Sequence, residues 1–167
     1  LKHSLIGNKK FYNYLNKNKN KILNLSSPFL EKAIYESCKI KKIIVQQDEN
    51  EQGLRKILNF GHSFAHAFEA TLGFSKKLNH GEAVILGMKA ALNFSVETNH
   101  MNKDEYYSII NHIDNSDLPS SVRKFFSAKD INKILSFMTK DKKNRSEKIN
   151  LVLLRKIGDP IIDKEYS

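Results

Sequence analysis

At 167 residues and 19.2 kDa the chain has the length of one domain with a continuous core. It holds no apolar run near the ~20 residues of a membrane span and no signal-peptide pattern. The formal charge of +10 invites a nucleic-acid reading, yet only Arg55, Arg123, Arg145 and Arg155 among 28 basic residues are arginine, and base readout and bidentate phosphate clamping depend on arginine.

The expectation is therefore a soluble, cytoplasmic protein, one domain over 1–167, that binds neither nucleic acid nor membrane. Its positive field would draw in small phosphorylated or carboxylated molecules. The chain starts at Leu1 and not at Met, which reads as a fragment or a processed piece. The single cysteine, Cys38, has no internal disulfide partner and is expected to be a small buried side chain.

Leu1 to Asn24 carries six lysines, six asparagines and no acidic residue. Leu5, Ile6, Phe11, Tyr14 and Leu15 give it helical periodicity, so a helix tail broken near Gly7 and a second short helix are predicted. Ser26, Ser27 and Pro28 read as a helix start. The helix continues through Ala33, Ile34, Cys38, Ile44 and Val45, with Lys41 on an otherwise apolar face. An acidic turn, Gln47 to Gly53, follows.

The stretch from Gly53 to Ala91 organises the rest. Arg55, Asn59, His62, His66 and Glu69 fall at intervals of four, three, four and three, which stacks them along one stripe of a single predicted helix. The other side, including Leu54, Ile57, Phe60, Phe64, Ala67, Phe68 and Leu72, is expected to be buried. A polar stripe is usually only the wet face of an amphipathic helix, but a wet face in so lysine-rich a chain should be Lys and Glu. Two His, an Asn and an Arg are groups that coordinate, donate and accept. Glu51 and Arg55, four apart, fit a plain surface ion pair.

A further helix opens at Asn79-His80-Gly81-Glu82 and runs to about Asn99. A histidine at a helix N-terminus is favoured as the neutral imidazole that ligates metals. For His80 to meet His62, the chain from Gly73 to Asn79 must run back by about 15 Å, at 1.5 Å of rise per residue. Seven residues at about 3.3 Å each reach that far. Beyond it come a helix with Tyr106, Ile109, Ile110 and Ile113, broken at Asp117-Leu118-Pro119. A helix capped by Ser127 over Ala128 to Lys140 is next, then a charged turn and a short strand at Ile149 to Leu154 closed by Gly158, Asp159 and Pro160.

The strings DENEQGLRKILNFGHSFAHAFE, LNHGEAVILGMKAA and the late TKDKK together resemble the C-terminal domain of 3-dehydroquinate synthase. The resemblance covers nearly the whole chain in order and implies a mainly α fold with a short late strand. It further implies an NAD-binding N-terminal domain that is not in this sequence. By resemblance, His62 and His80 are metal ligands for Zn or Co, and the third ligand is a glutamate two positions before Leu1. Lys2, Lys41, Arg55, Asn59 and Lys142 match substrate-binding positions, and Glu51 and His66 match positions that handle protons. Ser63 and Ala65 stand where the family usually has threonine and glycine, with tolerance expected at both.

The implied reaction converts 3-deoxy-arabino-heptulosonate 7-phosphate to 3-dehydroquinate and phosphate, in the shikimate pathway. NAD is bound mainly by the other domain, the full-length enzyme is expected to be a homodimer, and this chain alone should be inactive. Two other readings compete: a helical metal-dependent hydrolase using His62, His66 and His80 with Glu69 or Glu82 as base, and a nucleic-acid-binding module built on the lysine-rich N-terminal stretch.

Overall fold

Apolar periodicity and capping residues divide the chain into helices that pack as one mainly α body. The computed structural model describes residues 1–116, 118, 121–140 and 149–166. Helix α1 covers Lys2–Gly7, α2 Lys9–Lys17 and α3 Lys19–Leu23, so the predicted break at Gly7 holds and one more short helix follows. Asn8 enforces the first break, its backbone extended and its side chain accepting from Phe11 N at 3.1 Å. Helix α4 spans Phe29–Gln47, entered through Ser26, whose carbonyl accepts from Phe29 N and Leu30 N.

The single helix predicted through the polar stripe is two elements. Leu54–Asn59 is a 3₁₀ segment, the chain turns at Phe60 and Gly61, and α5 runs over His62–Thr71. The cause lies in packing that spacing does not report. Gly61 takes φ +79, and a Cβ there would come within 2.7 Å of Met88. A Cβ on Gly87 would run into the Gly61 carbonyl and come within 3.0 Å of Ala65 N. The backbones of α5 and α6, the latter covering His80–Glu97, therefore touch where both residues lack side chains. Ile57, Phe60, Ala67 and Phe68 are buried as expected, but Leu54 is exposed.

Helix α7 covers Lys103–Asp114, a capping box between Ser127 and Asp130 opens the next turn, and α8 spans Ile131–Thr139. The predicted late strand has a partner. β1, Ile149–Lys156, pairs antiparallel with β2, Asp159–Tyr166, in the register Leu153 with Ile161. Gly158 N donates to Leu5 O at 2.7 Å and ties this hairpin to α1. Ser95 is buried in α6 and uses its hydroxyl twice, donating to Ala91 O and accepting from Leu154 N of β1.

The core centres on α1, α6, α7 and β1, where Leu5, Ile6, Leu86, Met88, Leu92, Ile109, Ile113, Leu153 and Leu154 are fully buried with Phe60. Cys38 corrects its expectation: it is exposed, on a face of α4 shared with Ile34 and Tyr35, which are also exposed. Among the described residues no helix is long and apolar enough to cross a membrane.

Candidate metal and substrate site

Because α5 and α6 approach so closely at Gly61 and Gly87, the first turn of each helix faces its neighbour, and both histidine-bearing turns meet. The ring centroids of His62 and His80 are 5.7 Å apart. Two imidazoles bound to one ion at about 2.0–2.1 Å have centroids roughly 5–6 Å apart, so this pair is within a shared ion's reach. The run back from Gly73 to Asn79 is thus made. Asn79 caps α6, and its N–H donates to Glu82 Oε2 at 2.8 Å.

Hydrogen bonds fix which nitrogen each ring offers. His62 Nδ1 lies 3.2 Å from Phe60 O, and His80 Nδ1 lies 3.1 Å from both carboxylate oxygens of Glu69. Oxygens of these kinds only accept, so Nδ1 is the nitrogen that carries the proton in each neutral ring, and Nε2 is the one that faces away from these partners. Imidazole Nε2 is a donor that a divalent ion accepts, so the two residues fit such an ion as two members of its ligand set. Burial, then the Lys2 ammonium, pushes the His62 pKa down to about 4, so its ring is neutral at physiological pH.

Lys2 reaches the same spot from α1. Its Nζ donates to Leu58 O at 2.7 Å and lies 3.5 Å from His62 Nε2. Burial and the charge of Lys41 on α4 lower its pKa to about 8. Lys41 is exposed. Behind them Asn59 Nδ2 donates to Glu51 Oε1 at 2.7 Å, and Arg55 Nη1 donates to Glu49 O at 2.6 Å. Of the residues singled out in the sequence, Lys142 lies outside the described residues, as does the charged turn around it.

His66 is exposed one turn along α5, its ring 5.6 Å from His62 and 6.3 Å from His80. Those distances alone would admit three imidazoles on one ion. However, among the described residues no group of three His, Cys, Asp or Glu is placed to hold a metal. The two carboxylates the hydrolase reading would use as base are engaged, Glu82 in the cap and Glu69 on His80. Reading the sequence did not assign Glu69 to His80, because their separation of eleven residues spans a turn whose path no periodicity fixes.

The sequence matches the family described as 3-dehydroquinate synthase C-terminal over residues 1–144. It is 57% identical over 167 residues to the 3-dehydroquinate synthase of Pelagibacter ubique, covering 100% of this chain and 45% of that protein. Its identity to the 3-dehydroquinate synthase of Prochlorococcus marinus strain MIT 9312 is 39%, over 95% of this chain and 43% of that one. The chain thus spans less than half the length of the curated relatives it matches.

Among solved structures, 2-epi-5-epi-valiolone synthase from Streptomyces hygroscopicus subsp. jinggangensis 5008, with NAD+ and Zn2+ bound, superposes with a TM-score of 0.85 at 18% identity. That match covers 100% of this chain and 45% of the other. A 2-deoxy-scyllo-inosose synthase complexed with carbaglucose-6-phosphate, NAD+ and Co2+ gives 0.67 at 23% identity, covering 83% of this chain and 38% of that one. At such identities the likeness is one of fold.

Proposed function

The chain belongs to the 3-dehydroquinate synthase C-terminal family, and on that premise we propose that it serves, joined to an NAD-binding domain, as the metal- and substrate-holding half of a 3-dehydroquinate synthase. The reaction is conversion of 3-deoxy-arabino-heptulosonate 7-phosphate to 3-dehydroquinate and phosphate. The reading is supported above all by His62 and His80, brought within one ion's reach with both Nδ1 protons committed elsewhere.

In this proposal His62, His80 and a glutamate from outside these residues hold a divalent ion, which supplies Lewis-acid polarisation of a substrate hydroxyl. NAD, held by the other domain, supplies the hydride chemistry. Everything else falls to side chains of this chain. Lys2, Lys41 and Arg55 oppose the carboxylate and phosphate of the substrate, where charge-assisted hydrogen bonds are strongest. Lys2 is well suited, since its ammonium already sits 3.5 Å from His62 Nε2. Asn59 presents an amide to substrate hydroxyls while bracing Glu51. Glu51 and His66 move protons, and the exposed ring of His66, one turn from His62, stands beside any molecule held there.

The test is phosphate release from 3-deoxy-arabino-heptulosonate 7-phosphate by the full-length protein supplied with NAD+ and Zn2+. Turnover that disappears in His62→Ala and His80→Ala, with none from the 167-residue chain alone, is the expected result. A full-length protein that releases no phosphate, or an isolated chain that does, would overturn the proposal.

A further inference from the structure

The turn between α4 and the 3₁₀ segment is wound around one carboxylate. Asp48 Oδ1 accepts from Gln52 N at 2.9 Å, while Oδ2 accepts from Gly53 N at 2.8 Å and from Arg55 N at 2.9 Å. The Asp48 carbonyl also accepts from Glu51 N at 3.4 Å. Three backbone donors converge on a side chain that accepts most strongly from all of them as the anion. Those N–H groups, that of Arg55 foremost, hold the Asp48 acid below the usual carboxylate range.

Inside this loop stands Glu51, with φ +54, a left-handed backbone that residues bearing a Cβ rarely adopt. Such a conformation persists only where the surroundings over-determine it, and such sites cluster where geometry matters to function. The bonds to Asp48 on both sides of Glu51 are that determination here. Eight residues on, Asn59 Nδ2 reaches back to Glu51 Oε1, and Arg55, whose own N–H is one of the three donors, lies in the same 3₁₀ segment as Asn59.

We propose that Asp48 is a positioning residue of the synthase: its carboxylate folds the loop that aims Glu51 and Arg55, and it acts through them without touching substrate. The inference rests on the synthase reading above. Replacing Asp48 by Asn leaves one acceptor oxygen and turns an NH₂ toward at least one backbone donor, whereas Ala removes every acceptor. Neither change touches His62 or His80.

The experiment is a double-mutant cycle in the full-length holoenzyme with NAD+ and Zn2+, comparing wild type, Asp48→Asn, Asp48→Ala, Glu51→Gln and the Asp48→Ala/Glu51→Gln pair. Displacement of a catalytic group by about 1 Å costs on the order of 100-fold. Asp48→Ala is thus expected to lower kcat by about that much and Asp48→Asn by about tenfold, both with full zinc content. Added to Glu51→Gln, Asp48→Ala should cost less than about threefold more, because residues acting as a unit are not additive.

If Asp48→Ala loses its fold or its zinc, the near-isosteric Asp48→Asn, combined with Glu51→Gln in its own double variant, carries the same cycle. Losses that multiply, or an Asp48→Asn enzyme with unchanged kcat, overturn the inference while wild-type turnover leaves the synthase reading standing. Absence of turnover by the wild-type holoenzyme overturns both.

Discussion

Nδ1 of His80 lies 3.1 Å from each carboxylate oxygen of Glu69, a residue one helix away on α5. The carboxylate both orients the ring and commits its Nδ1 proton, which leaves Nε2 for an ion. Losing such an orienting partner typically weakens metal affinity by about 10–100-fold. Glu69→Ala in the full-length protein should therefore lose zinc to a competing chelator at concentrations that leave wild type loaded. Unchanged affinity would mean that the contact does nothing for the ion.

His62 and His66 differ in role although they are neighbours on α5. His62 has its Nδ1 tied to Phe60 O and a neutral ring, whereas His66 is exposed. His62→Ala is expected to abolish zinc binding. His66→Ala is expected to keep the metal and lose most turnover, about 100-fold or more, as removal of a proton-handling group does. Equal loss of metal in both variants would favour three imidazoles on one ion.

Packing at Gly87 is linked to the site because α5 and α6 carry the two ligands. A Cβ at Gly87 meets the Gly61 carbonyl and Ala65 N, so Gly87→Ala must push the helices apart. Overpacking of this kind costs about 1–3 kcal/mol, and a weaker metal site should accompany it. Gly73 is the control. Its φ is +63 and a Cβ there meets nothing within 4 Å, so Gly73→Ala should cost about 1 kcal/mol with metal affinity intact. Urea midpoints and chelator titrations on both variants check this.

Three histidines set a stability window in acid. Burial chiefly lowers the pKa of His3, His62 and His112 to about 4. The folded chain thus refuses protons that the unfolded chain accepts near pH 6.5. Their contribution is fully present above about pH 6.5 and is lost as pH falls toward 4. The slope is at most roughly 1.4 kcal/mol per pH unit for each ring, and less because each is partly solvated. Urea unfolding of the 167-residue chain at several pH values should show this slope. His112→Gln, which removes the ring 2.9 Å from Asn16 Oδ1, should flatten it. A pH-independent midpoint between 6.5 and 4.5 would contradict it.

Local signals made much of the fold legible. Helices α4, α6 and α7 follow from apolar spacing; the cap of α6, open between Asn79 and His80 in the sequence, is Asn79, whereas α4 has Pro28 at its cap position with no serine side chain capping it and α7 is capped by Asn102. The break at Phe60 and Gly61 was hidden because the three- and four-residue intervals run straight through it. Side-chain spacing reports phase and not φ, and the close packing of Met88, distant in sequence, leaves no room for a side chain at the left-handed Gly61. Cys38 looked buried because Ile34 and Cys38 share a helical interval, and nothing local says that this face stays open. β2 begins Asp159-Pro160, turn residues that masked a strand fixed by its pairing with β1. At the site, residue type marked His62, His66 and His80 as candidates, and only the family resemblance singled out His62 and His80 as the pair. Glu69 on His80 and Asp48 under Glu51 depend on how loops return, which no interval encodes.

The most direct test is anomalous scattering from crystals of the full-length protein grown with Zn2+. The account predicts one peak bonded at about 2.0–2.1 Å to Nε2 of both His62 and His80, with a glutamate oxygen completing the set and His66 unbound. A peak bridging His62 and His66, or no peak between His62 and His80 in an otherwise ordered structure, would contradict it.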